Sequence, residues 1–401
     1  MKLLFSIFTV ALINIQLFAQ LQDNQSVFQN SADLLLASDS KLSIGGYGEI
    51  HYHQPLDADL RQNGELDVHR LVMFFGYNFS NRVQFVTEIE YEHVSEVYVE
   101  QMFLQYKLNS WLNFRGGLML IPVGIINEYH EPTTFNGVDR PFIDNKISPT
   151  TWREIGFGIT GNFLETSLKY QLYLVNGFNG YDGQAKFNGR NGLRGGRQKG
   201  AESYISAPNL TARVEYYGIR GLNMGLSTYM GDSQSRLYHK IDKSDDAAML
   251  RADSSVVGIA MIGIDGRYNI KGWQFRGQYY HLSLSNTLQY NHFTKSSDGT
   301  PNDLGSVLGG FYVEAAYNVL RNSNSTSTGL YPFIRYEQWD TQKKVAEGIK
   351  RSASNENTAI TTGISWFAAK GAVVKAEMQL IKPASADKYN QVFNAGIGVM
   401  F

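Results

Sequence analysis

Apolar and polar residues alternate one for one along most of this chain, and that restricts the folds open to it. In RVQFVTEIEYE, residues 82–92, Val83, Phe85, Thr87, Ile89 and Tyr91 share one face. Arg82, Gln84, Glu88, Glu90 and Glu92 share the other, with Val86 as the break. Leu168, Tyr170, Leu172 and Leu174 oppose Lys169, Gln171 and Tyr173. Leu210, Ala212, Val214 and Tyr216 oppose Thr211, Arg213 and Glu215, and Val374 to Leu380 repeat the pattern against Lys375, Glu377 and Gln379. A period of two marks strands whose faces meet different surroundings. The 24 Tyr, 23 Phe and 39 Gly, against 9 Pro, suit strands and tight turns.

The alternation predicts sixteen strands. The first eight run over 41–54, 65–79, 82–93, 96–108, 111–121, 152–163, 165–176 and 209–217. The remaining eight cover 221–231, 255–269, 271–284, 307–320, 329–340, 357–367, 371–382 and 390–401. Their connections sort into two kinds. One set is short, and the other is mostly long: 55–64, 122–151, 177–208, 232–254, 285–306, 341–356 and 383–389. Two connections depart from this, 94–95 being short and 321–328 longish. Short turns on one rim and long loops on the other are the pattern of transmembrane β-barrels. A soluble two-sheet protein has no reason to sort its connections by rim. In lipid every backbone N–H and C=O needs an internal partner, so such strands must close into a barrel, apolar face outward. The expected fold is therefore an all-β transmembrane antiparallel barrel with short periplasmic turns and long extracellular loops, spanning residues 41–401.

The termini agree with export. MKLLFSIFTVALINIQLFAQ has a basic start, an apolar stretch and a small residue at Ala19, so residues 1–19 read as a signal peptide, with a membrane anchor helix as the rival. Residues 20–40 are expected to precede the barrel in the periplasm. With no cysteine there is no disulfide, thiol chemistry or cysteine-linked lipid. A net charge of −1 gives no global pull toward nucleic acid, and no cofactor is implied. At the other end Phe393, Ala395, Ile397, Val399 and Phe401 alternate up to a terminal aromatic. That resembles the C-terminal signal read by the barrel-assembly machinery of bacterial outer membranes.

Several stretches together resemble bacterial porins of the phosphate-selective O/P type. They are GGYGEIHYH (45–53), DVHRLVMFFGYNFSNRVQFVTEIEYEH (67–93), GLMLIPVGIINEYHEPTTFNGVDRP (117–141), ISPTTWREIGFGITG (147–161) and RGGRQK (194–199). The resemblance covers most of residues 41–230 and fades afterward into general barrel texture. It implies a Gram-negative outer-membrane channel, usually a homotrimer, with a loop folded inward to narrow the lumen. It also implies passive passage of small hydrophilic solutes or ions, with anions or phosphate preferred. Phosphate selectivity in the family goes with Lys and Arg at the constriction. Here the loop at 122–151 carries Arg140 and Lys146 beside Glu128, Glu131, Asp139 and Asp144, which departs from that pattern.

With the polar faces turned inward, the lumen receives Arg70, Arg82, Arg115, Lys169, Arg213, Arg267, Arg276, Arg335 and Lys375. Facing them are Glu49, Glu88, Glu90, Glu92, Glu154, Glu215, Asp265, Glu337 and Glu377. The matched sets predict a watered lumen with a transverse field and no strong overall ion preference. Each residue reads more readily as an ion-pair partner in the wall than as a solute contact. Arg190, Arg194, Arg197 and Lys199 form a basic loop without an acid, read either as an anion collector or as a mobile solvated loop. In 122–151, Glu128, His130 and Glu131 resemble a metal or acid–base cluster. Glu128 and His130 are only two apart, however, and Pro132 interrupts the run. Placed after the fifth strand, Glu128, His130, Glu131, Asp139, Arg140, Asp144 and Lys146 read as the two sides of a constriction. A plugged structural or adhesive barrel and an outer-membrane hydrolase remain as alternatives.

Overall fold

A computed structural model describes residues 28–57, 59–322 and 328–401, so the signal segment 1–19 lies outside the described residues. The strands are β1 (Leu42–Leu56), β2 (Glu65–Asn78), β3 (Val83–Glu92), β4 (Glu96–Lys107), β5 (Asn113–Leu120) and β6 (Arg153–Phe163). Next come β7 (Leu168–Val175), β8 (Asn179–Tyr181), β9 (Asn209–Tyr216), β10 (Leu222–Asp232), β11 (Gln234–Ser235) and β12 (Gly258–Ile270). The last are β13 (Trp273–Ser285), β14 (Val307–Tyr317), β15 (Gly329–Lys344), β16 (Glu356–Ala369), β17 (Ala372–Pro383) and β18 (Asn390–Met400).

Sixteen of these close into one antiparallel barrel, and β8 and β11 form a separate parallel pair. The seam joins β1 to β18 from Tyr47↔Met400 to Leu56↔Gln391. Phe401 finishes it, its N–H donating to the Gly46 carbonyl at 2.9 Å and its carbonyl accepting from Gly46 N–H at 3.0 Å. No ladder edge is left for lipid. The alternation then sorts the faces: Leu226 is 51% exposed on the outer wall and Ser227, next to it on β10, is 1% exposed inside. Where strands approach closely, side chains are absent. A Cβ on Gly156 or Gly158 of β6 would run into the Leu174 and Leu172 carbonyls of β7.

One departure from the sequence expectation lies inside the barrel. Residues 28–37 do not stand clear of the barrel. Helix α1 (Ser31–Leu36), capped by Asn30 Oδ1 accepting from Asp33 N–H, enters the lumen at the short-turn end. Ala32 and Leu35 pack into the apolar cluster containing Phe74, Val86 and Phe103, beside Gly76. Gln84 Nε2 donates to the Leu36 carbonyl, and Lys169 Nζ reaches both Asp33 oxygens at 3.0 Å. The long loops are also structured: α2 (Ile143–Lys146), α3 (Asp246–Asp253) and α4 (Thr287–Phe293) lie in them. Under the loops, Trp152 stacks on Phe178 at 4.6 Å and meets Tyr229 at 4.6 Å, with Phe187 and Tyr290 continuing the cluster.

The sorting of faces has a direct test. Leu226→Arg, facing outward beside Ile264 near mid-strand, is expected to cost about 2–4 kcal/mol of folding stability in vesicles. Leu66→Arg, near the long-loop end of β2, is expected to cost about 0–1 kcal/mol. Equal costs in chemical-denaturation titrations would contradict the assignment of the outer face.

Candidate functional site

The segment between β5 and β6 enters the barrel and crosses to the opposite wall. Its base is closed by Asn127, whose Nδ2 donates to the Ile121 and Trp152 carbonyls at 2.7 Å and whose Oδ1 accepts from Trp152 N–H at 2.7 Å. Gly124, at φ +72°, leaves no room for a side chain against the Tyr280 hydroxyl. Ile125 N–H donates to Gln278 Oε1 at 2.6 Å. Asp144 then accepts from Gln278 Nε2 at 2.7 Å and from Tyr280 Oη at 2.8 Å.

The far wall holds the tip through its charged residues. Glu377 of β17 accepts from Val138 N–H at 2.9 Å and Asp139 N–H at 3.3 Å. Gly137, at φ +82°, keeps Cβ bulk away from that carboxylate. Asp139 Oδ2 accepts from Gln379 and Asn394 at 2.9 and 3.0 Å. Lys375 Nζ donates to the Phe135 carbonyl and lies 3.9 Å from its ring centroid, while Arg276 donates to the Thr134 carbonyl. Arg140 donates to the His130 carbonyl at 3.1 Å.

The candidate residues therefore divide. His130 Nε2 sits 3.2 Å from Glu100, and Glu131 accepts from the Ser31 N–H of α1 at 2.8 Å. Glu88 accepts from the Ser31 hydroxyl, so loop, helix and wall meet there. Glu128 accepts from Gln171 at 2.9 Å, and Lys146 stands half-buried at the loop's far end. On the wall, Arg70 pairs with Glu49 at 2.9 Å and Glu90 at 3.5 Å. Arg213 pairs with Asp265 at 2.7 Å and Glu215 at 3.1 Å. Arg115 reaches Gln105 and Tyr173, and Lys169 is held by Asp33. Arg82 is exposed in the turn after β2 rather than in the lumen. Around these guanidinium groups, carboxylates and amide oxygens take the place of lost water.

The expected watered lumen is not what this geometry gives. A cavity of about 320 Å3 opens at the long-loop end, lined by Glu49, His51, His69, Asp139, Arg140 and Arg194 among others. Another of about 510 Å3 lies at the short-turn end against α1, Arg115, Glu128 and Lys169. Between them Glu88, Glu100, His130 and Glu131 are at most 1% exposed. Much of the polar wall holds the inserted segments, so the midsection is filled by side chains and loop.

The basic loop is likewise packed. Arg194 donates to the Thr150 carbonyl at 2.6 Å, and Arg197 to the Thr150 and Thr151 carbonyls at 3.1 and 2.9 Å. Lys199 lies 4.7 Å from the Tyr98 ring centroid, and burial, followed by repulsion from Arg197, lowers its pKa. Arg190 is exposed. Phe187 and Leu193 anchor the segment in the core, which explains why its glycines do not leave it a solvated loop.

Alternation alone missed Glu100 and His69, and for one reason. The β3–β4 register shifts between Glu88 and Ile89, whose partners are Gln101 and Val99, leaving Glu100 as the extra residue of a bulge. The β1–β2 register shifts likewise between Glu49 and Ile50, opposite Arg70 and Val68, leaving His69. A bulge inserts one residue and breaks the period, so two neighbours turn to the same side. Glu314 and Arg153, also buried, lie in strands whose faces were read without them.

Glu377→Ala is expected to strand the Val138 and Asp139 amides and cost about 1–3 kcal/mol. Faster hydrogen exchange at those two amides and a lower denaturation midpoint would register the loss. Unchanged exchange would contradict the anchoring.

No family model matches the chain. An uncharacterized protein of Aquifex aeolicus (strain VF5) is 32% identical over 373 residues, covering 90% of this chain and 80% of that one. Among solved structures, an anion-selective porin from Comamonas acidovorans superposes with TM-score 0.56 at 12% identity, covering 90% of this chain and 99% of that one. The outer membrane channel DcaP of Acinetobacter baumannii gives TM-score 0.56 at 10% identity, with coverages of 94% and 100%. Salmonella typhi OmpF gives 0.55 at 12%, with coverages of 90% and 97%. At such identities the likeness is one of fold. The chain belongs to one family with the Aquifex aeolicus protein, and its fold is the sixteen-stranded barrel of outer-membrane porins.

Proposed function

We propose that this protein is a Gram-negative outer-membrane channel for small hydrophilic solutes and ions, and that its open passage requires the inserted segments to move. The observation that carries the reading is the pair of cavities, one at each end of a closed barrel, separated by the contact of α1 with the loop carrying His130 and Glu131. That contact is polar and few-bonded on the helix side: Ser31 to Glu131 and Glu88, Asp33 to Lys169, Gln84 to the Leu36 carbonyl. These bonds are few, whereas the wall beneath them is a continuous ladder.

An anion preference, including phosphate, is supported by Arg140 and Arg194 lining the outer cavity, by exposed Arg190 and by likeness in fold to the anion-selective porin of Comamonas acidovorans. Glu49, Glu92, Asp139 and Asp144 line the same cavity and limit that preference. Trimer formation is supported by the fold and by the description of one OmpT structure from Vibrio cholerae as a trimer form. Assembly by the outer-membrane barrel machinery is supported by the terminal Phe401, 70% exposed at the seam. A signal peptide at 1–19 fits this location.

The packed midsection also favours a second reading, a permanently plugged structural or adhesive barrel. The hydrolase reading has less support, because His130 is 1% exposed and engaged with Glu100. Planar-bilayer recording separates the first two. The full mature chain is expected to give small or infrequent conductance steps, and removal of residues 28–37 to make them larger or more frequent. Absence of steps from both proteins would establish the plugged barrel. A reversal potential in a KCl gradient then reads the sign of selectivity, and cation preference would overturn the anion reading.

A further inference from the structure

Of the chain's 8 histidines, four gather at the long-loop end of β1–β3. His51 and His53 lie two apart on the inner face of β1. His69 is the bulged residue of β2, and His93 begins the short connection that departs from the long-loop rule. Their rings form a continuous line: His53 to His51 at 5.6 Å, His51 stacked on His69 at 4.5 Å, His69 to His93 at 5.6 Å.

Carboxylates stand among them. Asp67 Oδ2 lies 2.7 Å from His93 Nδ1 and 3.4 Å from His69 Nδ1, so two imidazole nitrogens converge on one oxygen. Asp139 Oδ2 lies 3.8 Å from His53 Nδ1, and Glu49 Oε2 lies 3.2 Å from His51 Nε2. Potential ligand atoms of Asp67, His69 and His93 all lie within 4.8 Å of one another, as do those of His51, His53 and Asp139. A third set, Glu88, Glu100 and His130, is equally close but sealed in the midsection. The mouth sets are different: His51, His69 and Asp139 line the outer cavity, and the His93 side chain is 48% exposed.

We propose that Asp67, His69 and His93 bind a divalent transition-metal ion such as Zn2+ at the outer mouth, with His51, His53 and Asp139 as a neighbouring position. Two imidazoles and a carboxylate are the donor set of open zinc sites, which leave remaining positions to water. Histidine ligates through an unprotonated ring nitrogen, so the Nδ1 protons that face Asp67 move to Nε2 on ligation. Ligation through Nδ1 places the His69 proton on Nε2, so the 3.1 Å contact from Arg70 Nη2 is given up. Arg70 remains held by Glu49 and Glu90. The short turn at residues 93–95 serves this arrangement, because a long loop there would carry His93 away from β2.

The test uses the full mature barrel, folded in detergent without a polyhistidine tag and titrated calorimetrically with zinc chloride. Saturable binding is expected. His93→Gln should weaken it by no less than the ~10-fold that loss of an outer partner of a metal site costs. Asp67→Asn should do the same without touching the bulge, and His292→Gln, in α4, should leave the affinity unchanged. Heat-modifiable electrophoretic mobility verifies folding of each variant. No saturable zinc uptake by the folded barrel, or an affinity unchanged from the unsubstituted barrel in His93→Gln or Asp67→Asn, overturns the proposal. Binding is read without a bilayer, so a conducting barrel that ignores zinc sinks only the metal site, and a zinc-binding barrel without conductance sinks only the channel.

Discussion

The structure rests on the closure of one hydrogen-bonded ladder between its first and last strands. An open edge on β1 or β18 would expose unpaired N–H and C=O groups to hydrocarbon, at several kcal/mol each. Pairing from Tyr47↔Met400 to Leu56↔Gln391, finished by Gly46 and Phe401, removes that edge. Closure then divides the world into lipid outside and a confined interior, and the alternation of side chains follows from that division. Leu226, Ile264 and Val313 face outward; Arg213, Asp265 and Arg335 face inward.

The interior charges create the next requirement. A buried guanidinium or carboxylate is tolerated only when its hydrogen-bonding capacity is met. Part of that is met across the wall, as in Arg213 with Asp265 and Glu215, and Arg335 with Glu314 and Glu337. A further part is met by backbone of inserted segments: Glu377 takes the Val138 and Asp139 amides, and Lys375 gives to the Phe135 carbonyl. The wall and the loop are thus mutually necessary. Helix α1 is attached differently, by a few polar contacts and an apolar face of Ala32 and Leu35, and on the proposed channel reading it is the element that moves.

Much of the fold was legible because a bilayer forces a strict period and a strict sorting of connections. The sixteen barrel strands fall close to their expected limits, with differences of a few residues at ends such as Lys344 of β15. What alternation could not show were the bulges that add Glu100 and His69 to the inner face, since a one-residue slip is invisible to a period count. The helix at Asp246–Asp253 had a local signal, Asp245 capping Ala248 N–H ahead of an Ala- and Leu-containing run. The inward course of residues 28–37 had no comparable signal, because its partners Glu88, Glu131 and Lys169 are distant in sequence. Likewise Arg194 and Arg197 read as free cations until the carbonyls they hold, at residues 149–151, came beside them.

The central claim is that passage depends on movement of α1, and a tether tests it directly. A Cβ at Gly76 would lie 3.1 Å from Leu35 Cβ, near the ~3.8 Å that a disulfide spans. The chain has no other cysteine, so Leu35→Cys with Gly76→Cys gives a single possible bridge. Single-channel conductance of that barrel, recorded oxidised and then reduced in the same bilayer, is the measurement. The account predicts a closed state when oxidised and recovery of conductance steps on reduction. Identical conductance in both states would contradict it.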